Sequence, residues 1–273
     1  MGRASPTYAD RLQKALFERL DEAGPALHFA PVYYENLLSP NQSRVWKACS
    51  RTLRWTRLRR FGLFFLADAG ALESRKSEPD SAYTRVQIRI AQTLYEACRT
   101  TGPNSPLVLI AHSLGCQILS NYLWDAQKYL KHGRSNVGIW TDPKQYASDI
   151  TDSGTLSHDE LAFMAGHTLR YLYTTGCNIP MFVAGHDQSA IEPISPPNAN
   201  FKWHNFYDKD DPLGWPLSIL SPSYAKLVSD HQVNASGGWL AWLLASWNPL
   251  SHGRYWQDKD VLAPLRDDVA SLL

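Results

Sequence analysis

Net charge, cysteine pairing and long apolar runs are all scarce in this chain. It sets 27 Lys and Arg against 26 Asp and Glu, a formal net charge of +1, so it has no general attraction for nucleic acid. Cys49, Cys98, Cys116 and Cys177 are widely spaced and form no C-x-x-C pair. They read as reduced thiols of a cytoplasmic protein, with Cys116 in the core, and not as a disulfide framework. No segment reaches the roughly 18 apolar residues of a membrane span; Phe61–Leu66 and Trp239–Leu244 are far shorter. The opening Met1-Gly2-Arg3-Ala4-Ser5-Pro6-Thr7 holds no apolar signal region. No glycine-rich loop ends in Lys-Ser or Lys-Thr, and no G-x-G-x-x-G follows a strand, which removes the usual phosphate cradles. His158-Asp159-Glu160 and His167 lack the i, i+4 spacing of zinc hydrolases. Neither a metal nor a cofactor is expected, and there is no internal repeat or low-complexity tract.

What the chain does have is Pro106-Leu107-Val108-Leu109-Ile110-Ala111-His112-Ser113-Leu114-Gly115-Cys116-Gln117-Ile118-Leu119. The apolar run suits a parallel strand buried on both faces. The residues after Gly115 follow helical spacing, with Ile118, Leu119, Tyr122 and Leu123 inward and Gln117, Asn121 and Asp125 outward. Between them Ser113 sits on a sharp turn, a nucleophile elbow, with Gly115 sparing a collision with the strand. The Leu114 amide at the helix N-terminus is placed to meet an oxyanion, so the pattern points to acyl transfer. Ala111 stands where the motif usually has its first glycine, and His112 reads as a packing or hydrogen-bonding residue.

These residues resemble the α/β-hydrolase superfamily, in particular its lipase- and esterase-like members, whose triad runs in the order serine, acid, histidine. The resemblance implies an acid after a late strand and a histidine near the C-terminus. Phe201–Tyr207 reads as that strand, followed by Asp208-Lys209-Asp210-Asp211-Pro212-Leu213-Gly214-Trp215-Pro216-Leu217. Asp211, followed by Pro, an apolar residue and a later Pro-Leu, matches the acid loop best. Asp208, Asp210 and, after the strand-like Ile179–Gly185, Asp187 remain open. His252 is the implied base, since Ser251-His252-Gly253-Arg254-Tyr255-Trp256 is similar to the histidine loop of lipase-like hydrolases; His231 is the next candidate, in a segment that reads as structural.

In such hydrolases a second oxyanion donor comes from a loop after an early strand, commonly preceded by His-Gly. That strand is missing before Met1-Gly2-Arg3, which resembles the end of such a loop. The expectation is a chain trimmed at its N-terminus, with Met1 or Gly2 as second donor.

The 273 residues suit one α/β-hydrolase domain, residues 1–273: a mostly parallel sheet with helices on both faces and a helical cap insertion. The expected path is a helix over Thr7–Glu22, a strand over Leu27–Tyr34, helical material over Asn41–Leu66, a helix over Tyr83–Arg99, the elbow, a cap element over 128–154 and a helix over His158–Thr174. The two late strands follow, then an apolar helix at Trp239–Leu244 and a final helix from Lys259. Arg44, Lys47, Arg51 and Arg54 fall on one helical face opposite Trp46, Cys49 and Leu53. That face is either solvated or paired with a partner, or it docks on anionic lipid; no recognition motif for nucleic acid accompanies it. The expected activity is a serine esterase acting on a small-molecule or lipid ester, its rival a non-catalytic hydrolase-fold binding protein.

Overall fold

A computed structural model describes residues 7–20, 24, 26–50, 56–234 and 254–273. Its centre is a sheet of four strands, β1 (Leu107–His112), β2 (Leu169–Thr175), β3 (Lys202–Asp208) and β4 (Val228–Val233), lying side by side in chain order. Every adjacent pair is parallel, so each connection must cross over and all four strands present their carboxyl ends at one end of the sheet.

Helices α1 (Asp10–Leu20), α2 (Glu35–Cys49), α3 (Thr56–Glu73) and α4 (Ala82–Thr101) precede β1. The crossover to β2 contains α5 (Leu114–His132), α6 (Ala147–Ile150) and α7 (His158–Met164). Helix α8 (Ile179–Val183) follows β2, α9 (Pro222–Leu227) precedes β4, and α10 (Lys259–Ala270) comes last among the described residues. Local sequence explains the ends. The Ser81 hydroxyl caps α4 by accepting from the Thr84 amide, and Gly102, at φ 98°, stops it. Asp258 caps α10 through the Asp260 amide. None of the described helices is long and apolar enough to cross a membrane.

Strand residues alternate between faces, and two apolar cores result. Leu109, Leu172 and Trp203 pack with Ile90, Leu94, Cys116 and Leu123 of α4 and α5. Val108, Tyr173 and Phe206 pack with Leu12 and Leu16 of α1 and with Leu262 and Leu265 of α10. The fold is α/β, with helices on both faces of a parallel sheet.

Several local expectations change. Residues 27–34 form no strand: Leu27 and Phe29 pack with the α1–α10 core and Val32 and Tyr34 with the opposite one, so this segment crosses from one face of the sheet to the other. The helix expected over His158–Thr174 ends at Met164; Gly166, at φ 80°, turns the chain into β2. Ile179–Gly185 is not a strand, since α8 occupies Ile179–Val183 with Pro180 in its first turn. β1, expected to be buried on both faces, is an edge of the described sheet, and Leu107–Ile110 are half-buried. Of the 128–154 segment, the first part lies within α5. Beyond it Ile139 and Trp140 are fully buried, and the Ile139 amide donates to Gln87 of α4 at 2.9 Å.

Two polar rows tie loops and helices to the sheet. On one face Thr174, Asn205 and Asp230 are register neighbours. The Thr174 hydroxyl donates to Asn205 Oδ1 at 2.9 Å, and Asn205 Nδ2 donates to Asp230 Oδ1 at 2.7 Å. The Asp230 carboxylate also accepts from the amides of Leu217 and Ser218, at 3.0 and 2.8 Å, and so holds down the loop after β3. On the other face the Tyr173 hydroxyl donates to Asp268 of α10 at 2.6 Å, His204 Nε2 lies 3.4 Å from the same carboxylate, and His204 Nδ1 is 2.9 Å from His231 Nε2. At that distance one ring nitrogen donates and the other accepts, and protonating both rings would set like charges in contact.

Burial holds both histidines below their ordinary value, against the opposing pull of Asp268 on His204 and of Asp230 on His231. A base depressed in the folded state contributes stability that is complete above its unfolded pKa, about 6.5 for histidine, and is lost as pH falls through that value. Urea midpoints should therefore drop between about pH 7.5 and pH 5, and His204→Gln should flatten that slope; a midpoint that rises on acidification contradicts the sign.

Candidate active site

The turn from β1 into α5 places Ser113 at φ 56° and ψ −129°, one of two non-glycine residues with positive φ among those described. An L-residue held there costs about 1–3 kcal/mol, so its surroundings must enforce it. They do so through the backbone: the Ser113 amide donates to the Thr175 carbonyl at 3.0 Å, and the Ser113 carbonyl accepts from the Cys116 amide at 2.9 Å. The serine side chain makes no capping bond to the first turn of α5 and is half-buried. Leu114 opens α5, so its amide belongs to the positive end of the helix dipole. Gly115 is not needed to avoid the strand: among the described residues a Cβ there would meet only the Tyr34 hydroxyl, in ordinary contact at 3.5 Å. Tyr34 therefore lies against the elbow.

Thr175, the last residue of β2, is fully buried and binds three segments. Its carbonyl takes the Ser113 amide and lies 3.0 Å from His112 Nδ1. Its hydroxyl donates to the Ala111 carbonyl at 3.2 Å and accepts from Trp256 Nε1 at 3.2 Å. The His112 ring packs against those of Tyr255 and Trp256, at centroid separations of 5.8 and 5.7 Å. His112 is thus held by a hydrogen bond and by ring packing, as its place in the elbow predicted.

The loop after β3 meets Tyr255 of the same pair. Asp211 is 4% exposed; Oδ1 accepts from the Leu213 amide at 3.0 Å and Oδ2 from the Tyr255 hydroxyl at 2.8 Å. The Tyr255 oxygen in turn accepts from the Asp208 amide at 3.0 Å. Burial, reinforced by the Asp211 charge, pushes the Tyr255 phenol far above its ordinary value, so it stays a donor. Gly214 makes room for the pair, since a Cβ there would come within 2.7 Å of both Asp211 Oδ2 and the Tyr255 oxygen. Asp208 ends β3, with Oδ1 accepting from the Asp210 amide at 2.9 Å; Asp210 is exposed. Asp187 is exposed and follows α8, so the strand that made it a candidate is absent.

Ser113, Leu114 and Asp211 are thereby brought to one end of the sheet, joined through His112 and Tyr255. His252, Met1 and Gly2 lie outside the described residues, as do Arg51, Arg54 and Trp239–Leu244. His231 belongs to β4 and is engaged with His204. Sequence reasoning missed Thr175, Tyr255 and Trp256 as supports of the site. Two adjacent aromatics in an otherwise polar loop are the one local signal for the last two. Among the described residues no three His, Cys, Asp or Glu side chains cluster so as to hold a metal ion. A surface hollow lined by Tyr95, Arg99, Ser153 and Glu160 includes no residue of the β1–α5 turn or of the loop after β3. No protein-family model, curated protein or solved structure matches the chain significantly.

The strain at position 113 is measurable. Ser113→Gly removes the Cβ penalty and Ser113→Ala keeps it, so the glycine variant should unfold at a free energy about 1 kcal/mol higher than the alanine variant. Denaturant titration of both checks this, and a more stable alanine variant contradicts it.

Proposed function

We propose that this chain is a serine hydrolase of the α/β-hydrolase type that cleaves a carboxylic ester through an acyl-enzyme. The observation that carries the reading is Ser113 at a positive φ on the sharp turn between a parallel strand and a helix. The buried Asp211 supports it. Tyr255, which that carboxylate accepts from, is three residues beyond His252, a stretch of chain reaching at most about 11 Å.

In this mechanism Ser113 Oγ attacks the ester carbonyl while His252 takes its proton, and Asp211 fixes the imidazole tautomer and offsets the imidazolium charge. The Leu114 amide, with Met1 or Gly2 as second donor, receives the oxyanion. His252 then gives the proton to the departing alcohol, and water, activated by the same base, releases the acid. Two exposed apolar side chains favour an apolar acyl group. Trp215 and Met181 stand beside the segment just past β2, where the Trp215 amide donates to the Cys177 carbonyl and the Met181 amide to that of Asn178, both at 3.0 Å.

A fluorophosphonate probe should label the protein at Ser113 and leave Ser113→Ala unlabelled but folded. An unlabelled wild type would overturn the reading in favour of a non-catalytic hydrolase-fold binding protein.

For the acid, Asp211→Asn should lower kcat for a short p-nitrophenyl ester by about 1,000- to 10,000-fold, as loss of the orienting carboxylate does in other triads. Asp208→Asn and Asp187→Asn should cost far less, and a larger loss from either would reassign the acid.

A further inference from the structure

The segment from Asn36 to Ala67 contains Arg44, Lys47, Arg51, Arg54, Arg57, Arg59 and Arg60 and no acidic residue, although the whole chain is close to neutral. Of its described side chains Arg44, Lys47 and Arg59 are exposed, and none of the three is in an ion pair among the described residues. A concentration of like charge left unpaired is electrostatically costly unless something of opposite sign meets it.

The same helices leave apolar surface in water. Leu66 is 67% exposed and Val45 39%, and Leu63, Phe64 and Leu66 belong to neither apolar core. On α3 the positions 59, 62, 63, 66 and 70 recur at helical spacing and share one stripe. It carries Arg59, Leu63 and Leu66, with Gly62 and Gly70 placed where a Cβ would meet nothing among the described residues. The Arg60 guanidinium lies 5.4 Å from the Phe64 ring centroid. An amphipathic helix with cations interleaved among large apolar side chains suits the boundary between lipid headgroups and acyl chains, where both are satisfied at once. A nucleic-acid backbone would meet the cations but offer Leu66 nothing.

We propose that α2 and α3 form a docking surface for an anionic phospholipid bilayer, engaged by Arg44, Lys47 and Arg59 at the headgroups and by Leu66 below them. This does not rest on the hydrolase reading. The Tyr34 residue that precedes α2 lies against the elbow, so docking through α2 holds the turn bearing Ser113 close to the lipid.

The test is co-sedimentation of the full chain with vesicles of phosphatidylcholine alone or with about 30% phosphatidylserine, a content that gives the surface a clear negative potential. Binding is expected to the anionic vesicles only, and to weaken at least about tenfold between 50 and 500 mM salt as the charges are screened. The double variant Arg44→Glu with Lys47→Glu should weaken it about tenfold or more at low salt, and Leu66→Ser should weaken it at both salt concentrations. These are surface positions, so circular dichroism and fluorophosphonate labelling should match the wild type; should Leu66→Ser fail to fold, the helix-compatible Leu66→Gln takes its place. Equal binding to both vesicles, no binding, or unchanged binding of the charge-reversed protein overturns the proposal. Capture of a DNA duplex by a protein that ignores the vesicles assigns the cations to nucleic acid instead and also overturns it.

Discussion

The candidate site hangs on Thr175. Its carbonyl and hydroxyl together engage the Ser113 amide, His112, the Ala111 carbonyl and Trp256, which join β1, β2, the elbow and the 254–257 turn at one buried residue. The magnitudes show why a hub is needed. Holding Ser113 in its rare conformation costs about 1–3 kcal/mol, and a single hydrogen bond returns only about 1 kcal/mol net. One bond to the Ser113 amide could not hold the turn. Several converging bonds in a dry environment, with two aromatic rings closing over His112, make the strained arrangement the lowest one open to that segment.

A second constraint acts on the loop after β3, which is anchored at both ends. Tyr255 grips Asp211 and the Asp208 amide, while Asp230 grips the amides of Leu217 and Ser218. A buried carboxylate without donors is costly, and among the described residues Asp211 accepts from the Leu213 amide of its own turn and from the distant Tyr255 hydroxyl. Gly214 belongs to this arrangement as much as the polar groups do, because any side chain there would occupy the space of the Asp211–Tyr255 bond.

How legible these features were depends on how far apart in sequence their causes lie. The elbow is a local event, with strand, turn and helix within 14 residues of one another, so its order can be read directly, although β1 is half-buried and Asp125, read as outward, is buried. That Asp211 sits in a tight turn after β3 was legible too, because turn chemistry and the spacing of Pro212 and Gly214 are local. What secures them was not. Tyr255 and Asp211 are 44 positions apart, and Trp256 and Thr175 81, and no periodic pattern encodes such pairs. Two misreadings share a cause in local ambiguity: Ile179–Val183 is apolar and short enough to pass for a strand, and only Pro180 in the first turn marks it as a helix. Leu27–Tyr34 has the composition of a strand but lacks a described neighbour to pair with, and its apolar residues are divided between two cores.

The position of the 254–257 turn also orders events during synthesis. The strands lie in the sheet in the order in which the chain is made, so β1 through β4 can pair successively as each appears. Tyr255 and Trp256 come after all of them, yet supply the bonds to Asp211 and to the Thr175 hydroxyl. Until that turn is made, a growing chain has the sheet and Ser113 but neither of these clamps. The arrangement at the strand ends is therefore completed only once that turn has been made, and a shorter nascent chain lacks two of the bonds that hold it.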